Sequence, residues 1–136
     1  MADTASLTKQ DRNCLMIIGH VRSDGFPHRL SEVAHLMGIK PPTLLQNLKR
    51  LESEGFVKRE KGMINLTEMG RKEYAALVKN HRVIELMLVN NGVPVDDACR
   101  TAENVDYVMD RQITDTIFEH LGRPLKCPHG RMISEG

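Results

Sequence analysis

Residues 31–57 read SEVAHLMGIKPPTLLQNLKRLESEGFV. Two helices and the break between them are legible there. Ser31 and Glu32 fall in a first turn, where a carboxylate suits the helix dipole. Val33, Ala34 and Leu36 are expected to face inward, and Gly38 supplies a left-handed stop. Pro41 and Pro42 open the next helix, because a first turn loses nothing through their missing N–H groups. Leu44, Leu48 and Leu51 recur at i, i+4 and i+7 as one buried stripe, and Gly55 ends the run. A short turn around Gly38 and Ile39 sets two such helices at a steep angle, the helix-turn-helix arrangement.

The flanks complete the unit. Upstream, a helix is expected from about Ser6 or Thr8 to Arg22, carrying Leu15, Ile17, Ile18 and Val21 and closed by Ser23-Asp24-Gly25. Phe26-Pro27-His28 reads as a connector. Downstream, residues 56–60 (FVKRE) and Met63-Ile64-Asn65-Leu66 read as two strands turned by Lys61-Gly62. The order helix, helix, turn, helix, hairpin is a winged helix-turn-helix over residues 1–66. The remaining residues, 67–136, read as a second, helical domain. Thr67 caps a long helix running to Asn90-Asn91-Gly92, and further helices follow near 95–108 and 110–121. Arg123-Pro124 breaks the last, and CPHG at 127–130 reads as a turn. The fold class is mainly α.

A formal net charge of +1 over 136 residues hides an uneven distribution. Residues 40–61 hold Lys40, Lys49, Arg50, Lys58, Arg59 and Lys61 against Glu52, Glu54 and Glu60. The segment 95–136 leans acidic, with Asp96, Asp97, Glu103, Asp106, Asp110, Asp115, Glu119 and Glu135. A basic first half suits a polyanion, and an acidic second half suits a cation or a partner. With the leucine stripe inward, the third helix exposes Pro42, Thr43, Gln46, Asn47, Lys49 and Arg50. Gln and Asn can pair bidentately with adenine, and Thr can touch a thymine methyl. Lys49, Arg50, Lys58, Arg59 and Lys61 suit phosphates. So small a module binds DNA weakly alone, so a homodimer on two half-sites of double-stranded DNA is expected.

Three irregularly spaced cysteines, Cys14, Cys99 and Cys127, do not form a secreted disulfide framework. No leader or membrane-spanning run is legible, so a cytoplasmic chain without membrane contact is expected. Aromatics are only 4%, which disfavours base stacking on single strands. No HExxH, glycine-rich loop or nucleophile elbow points to an enzyme.

A candidate metal site lies in the second half. His81 and Glu85, four residues apart in NHRVIELML, share a helix face. Surface helices often carry such pairs, but a second face follows, with Cys99, Glu103 and Asp106 at four-then-three spacing. Mixed imidazole, thiolate and carboxylate donors suit iron(II), manganese(II), cobalt(II) or zinc better than calcium. By themselves Cys14 reads as a small core residue, and Cys127 with His129 as a structural turn.

The strings SEVAHLMGIKPPTLLQNLKRLESEGFV, LTEMGRKEYA, NHRVIELML, ENVDYVM and CPHG together resemble the diphtheria-toxin-repressor family of iron- and manganese-dependent transcriptional repressors. The resemblance runs from about residue 7 to the end. It implies a winged helix, a helical dimerisation domain, and a divalent metal bound between them. It further implies the short form without an SH3-like third domain, whose members are often manganese-responsive. By the resemblance, His81 and Glu85 match two ligands. Glu103 stands where members use Glu or Cys, Asp106 where they use Glu, and Cys99 where iron-type members use His. Tyr107 stands in place of a ligating His, Asn13 in place of an Asp or Met ligand, and Met16 in place of a carboxylate. Pro42 and Gln46 fall at base-contacting positions. The expected function is a metal-responsive repressor binding a palindromic operator. The alternative is a winged-helix regulator with an altered sensor site, answering to redox or thiol chemistry through Cys14, Cys99, Cys127 and His129.

Overall fold

The computed structural model describes residues 7–20, 22 and 24–133. Ser6, Val21, Ser23 and Glu135, named above, lie outside the described residues. The chain divides into two compact units, Met1–Tyr74 and Ala75–Gly136.

In the first unit, α1 (Lys9–Gly19) begins at Thr8. The Thr8 hydroxyl accepts from the Asp11 N–H at 3.1 Å, and the Thr8 N–H donates to the Asp11 carboxylate at 3.1 Å. This reciprocal pair satisfies donors that a helix start leaves open. The helix stops at Gly19, short of the expected Arg22, because His20 turns to extended backbone. His28–Arg29 form a short strand, β1, which continues directly into α2 (Leu30–Met37). Gly38 adopts φ 69°, the left-handed stop its position required. After it, α3 (Pro41–Ser53) buries Leu44, Leu48 and Leu51 completely. The wing follows as β2 (Val57–Glu60) and β3 (Met63–Leu66). Lys61 and Gly62 both take positive φ, as a tight hairpin turn with the twist of its strands requires.

Two further expectations fail here for physical reasons. The connector at His28 is part of a strand: β1 pairs antiparallel with β3, His28 opposite Ile64 and Arg29 opposite Met63, giving the sheet order β1-β3-β2. Two residues carry no legible period, and their partner is over thirty residues away. Leu36 is 59% exposed rather than inward. The inner face of α2 is set by Leu30, Val33, Ala34 and Met37 at i, i+3, i+4 and i+7, and Leu36 falls beside it.

The helix α4 spans Glu68–Asn90, and its opening residues belong to the first unit. Gly70 lies against the Phe56 carbonyl, and Gly19 against the Tyr74 ring.

The second unit holds the rest of α4, then α5 (Val95–Val105) and α6 (Arg111–His120). Ala98 and Ala102 are the fully buried residues of α5. Asn80 on α4 donates to the carbonyls of Asp106 (3.0 Å) and Met109 (3.2 Å), fixing the end of α5. Asp110 caps α6 by accepting from the Gln112 N–H at 2.7 Å. Past α6, the Cys127 N–H donates to the Arg131 carbonyl and the Gly130 N–H to the Cys127 carbonyl. This closes CPHG into a tight loop. Cys127 and Ile133 pack with Val83 of α4, beside Leu86, Ile117, Phe118 and Leu121. Arg82 of α4 donates to the Met132 carbonyl. The loop is therefore held on α4 rather than free.

Candidate metal centre and nucleic-acid interface

Helical spacing and the α4–α5 contact bring three of the expected donors together. His81 Nε2 lies 3.7 Å from Glu85 Oε2 and 3.6 Å from Cys99 Sγ. Ligand atoms of one tetrahedral ion with bonds of about 2.0–2.3 Å sit roughly 3.3–3.8 Å apart, so these separations fit one shared ion.

Behind His81 lies Asp106, fully buried, its Oδ2 3.0 Å from His81 Nδ1. A proton on Nδ1 held by that carboxylate leaves the Nε2 lone pair facing Glu85 and Cys99, as metal-binding histidines require. Asp106 therefore stands behind the imidazole and not among the converging donors. Glu103 is exposed and belongs to neither cluster of converging donors. Tyr107 is half-buried. In the first unit, Asn13 and Met16 are half-buried on α1, and the Asn13 amide oxygen accepts from Arg12 at 2.9 Å.

A second triad shares Glu85. The CPHG loop brings Cys127 and His129 to the same carboxylate, with ligand atoms within 4.8 Å of one another. His129 Nδ1 is 3.1 Å from Glu85 Oε2, near enough for attraction but not aligned as a hydrogen bond. Nothing local to CPHG signalled this, because the loop reaches Glu85 through the packing of Ile133 and Cys127 on Val83 and the Arg82 bond to Met132. Glu85 is 1% exposed, and among the described residues its Oε2 has no hydrogen-bond partner. A buried carboxylate oxygen without a partner costs free energy. Two imidazoles and two thiols around it make a divalent cation the fitting complement.

Replacing Asp106 by Asn should weaken metal binding about 10–100-fold, the usual cost of losing the group that orients a ligating histidine. A competition titration with a chromophoric chelator measures this. Unchanged affinity would mean that His81 is oriented without Asp106.

Cys14 is separate from this chemistry. It is fully buried in α1, and burial, with the Asp11 carboxylate adding to it, pushes its thiol up to about 12. It is an inert core residue.

On the winged unit, Pro42, Thr43, Gln46 and Lys49 are exposed on α3, and Lys58, Arg59 and Lys61 on the wing. Asn47, expected to face outward, is 8% exposed, and its amide donates to Asp11 Oδ1 at 3.2 Å. Arg50 is paired with Asp11, and Arg59 with Glu52 at 2.8 Å. The cations left clear of these two pairs are Lys49, Lys58 and Lys61.

A winged helix thus precedes a helical unit that gathers thiols, imidazoles and a buried carboxylate. Residues 67–135 match the family described as iron dependent repressor, metal binding and dimerisation domain, and the chain belongs to that family. Its members are regulators and not enzymes. The chain is 26% identical over 121 residues to the iron-dependent repressor IdeR of Mycobacterium tuberculosis, covering 88% of this chain and 53% of that one. It spans a little over half the length of the first curated relatives it matches, 59% and 53%. A hypothetical protein from Sulfolobus solfataricus superimposes with a TM-score of 0.83 at 30% identity, covering 95% of this chain and all of that one. A manganese-dependent transcriptional repressor solved with manganese gives a TM-score of 0.79 at 25% identity, covering 93% and 59%. No helix among the described residues is long and apolar enough to cross a membrane.

Proposed function

We propose that this protein is a metal-responsive transcriptional repressor, cytoplasmic, that binds palindromic double-stranded DNA as a homodimer. The observation that carries the proposal is the buried Oε2 of Glu85, without a hydrogen-bond partner among the described residues and with His81, Cys99, Cys127 and His129 around its carboxylate. Either triad, His81, Glu85 and Cys99 or Glu85, Cys127 and His129, would hold an ion at that carboxylate, with Asp106 orienting His81. A bound divalent cation would complement the buried carboxylate and tie α4 to α5 in the first triad, or to the CPHG loop in the second. Relatives named for iron and manganese support a divalent transition metal. The one thiol in each triad favours iron(II), cobalt(II) or zinc over manganese(II).

Pro42, Thr43 and Gln46 read base edges, while Lys49, Lys58 and Lys61 contact phosphates. Val108 and Ile113, 66% and 52% exposed in the second unit, offer apolar area for a second copy. Metal raises DNA affinity only to the extent that it binds the DNA-competent arrangement more tightly.

The test is a gel-shift titration on a duplex enriched by the protein from a random pool, with cobalt(II) or with a chelator. Tighter binding with metal is expected. Equal affinity in both would sink the metal switch and leave DNA binding standing. Cys99 and Cys127, one in each of the two triads that share Glu85, also support the redox reading. Under it, peroxide rather than chelator would release the DNA from protein purified without metal.

A further inference from the structure

The Asp11 carboxylate is wholly buried, yet its partners come from the reading helix. Oδ1 accepts from Asn47 of α3, and Oδ2 from the Arg50 guanidinium and from the Thr8 N–H. Arg50 also donates to the Thr8 hydroxyl at 3.2 Å. Burial pushes the Asp11 carboxyl up, but Arg50, the Thr8 N–H and Asn47 together hold it below its ordinary value. One ionised group thus ties the start of α1 to the middle of α3, on the turn adjoining Gln46.

We infer that Asp11 is a positioning residue for DNA recognition. It sets the pitch and rotation of α3 and withholds Arg50 from phosphate. The inference rests on the DNA-binding reading above. A charge-assisted pair with a buried partner is stronger and more directional than the apolar contacts of Leu44, Leu48 and Leu51, which permit sliding. Arg50 looks like a phosphate contact in sequence, but its charge is already matched.

Salt dependence separates the two roles. Each phosphate contact adds about 0.9 to the slope of log affinity against log salt. The full chain with cobalt(II) is compared on its enriched duplex and on a scrambled duplex of equal composition. Asp11→Asn keeps an oxygen for the Thr8 N–H, so α1 remains capped. It is expected to lose about tenfold on the enriched duplex, a loss of about 1.4 kcal/mol in discrimination. On the scrambled duplex it should lose nothing, with a slope steeper by about 0.9 as Arg50 is released. Arg50→Gln should lose discrimination with the slope unchanged. The double variant Asp11→Asn/Arg50→Gln leaves no buried unpaired charge and carries the test if a single variant melts early. It should match Arg50→Gln in slope and Asp11→Asn in lost discrimination.

A slope shallower by about 0.9 for Arg50→Gln, with equal losses on both duplexes, would make Arg50 a phosphate contact and overturn the inference. So would wild-type discrimination in the double variant. Failure of the wild-type chain to bind any duplex would overturn the DNA-binding reading itself.

Discussion

Glu85→Gln should abolish metal binding at low micromolar concentration while leaving the metal-free protein at least as stable as wild type. The carboxylate is 1% exposed, and one of its oxygens has no hydrogen-bond partner among the described residues. In the metal-free chain it is a buried charge with only imperfect imidazole neighbours. A neutral amide relieves that cost. With metal bound the balance reverses, because Glu85 is the single carboxylate common to both donor triads. Leaving a buried charge uncompensated typically costs about 3–5 kcal/mol, which is a loss of at least about a hundredfold in affinity. Calorimetric titration with cobalt(II) or zinc reads the affinity, and thermal melts with and without chelator read the stability. A metal-induced rise in melting temperature equal to that of wild type would remove Glu85 from the site. A metal-free variant much less stable than wild type would show that the carboxylate is already satisfied.

Gly70→Ala should destabilise the winged unit. A Cβ on Gly70 would stand 1.9 Å from the Phe56 carbonyl oxygen and 2.9 Å from its carbon. Both atoms are backbone, so no side chain can swing aside. The same junction is held by hydrogen bonds: the Thr67 N–H donates to the Phe56 carbonyl at 3.0 Å, and the Gly70 N–H to the Thr67 hydroxyl at 3.0 Å. Alanine gains about 1 kcal/mol in helix propensity over glycine, whereas overpacking against fixed backbone costs about 1–3 kcal/mol or more. The clash wins. A melting temperature lower by several degrees is expected, since about 1 kcal/mol moves a small domain by roughly 4–8 °C. A variant as stable as wild type would show that α4 does not approach Phe56 so closely.

Much of this was legible because the signals were local. The leucine stripe of α3, the Gly38 stop, the Lys61-Gly62 turn and the Thr67 helix start each depend on a few neighbouring residues, and each stands where its residue types placed it. The convergence of His81, Glu85 and Cys99 was legible for the same reason: i,i+4 spacing on α4, and one candidate donor on the next helix.

What failed was non-local. Asp106 shares the face of Cys99, but the Asn80 clamp at the end of α5 brings its carboxylate behind His81. Glu103, one turn along α5 from Cys99, is exposed and belongs to neither triad. Asn47 looked like a base-reading amide until Asp11, thirty-six positions earlier, was found to hold it.

By itself the sequence determined the order of helices and strands, the inward leucines, the basic wing and the His81–Glu85 pair. Periodicity and turn chemistry are written in adjacent residues. Only the tertiary structure decided that CPHG is part of the candidate centre, through the burial of Cys127 and Ile133 on Val83. It also decided that Asp106 stands behind His81 and that Arg50 answers to Asp11. Those roles depend on which buried charges meet across the core, and desolvation, which selects such meetings, acts only once the chain has folded.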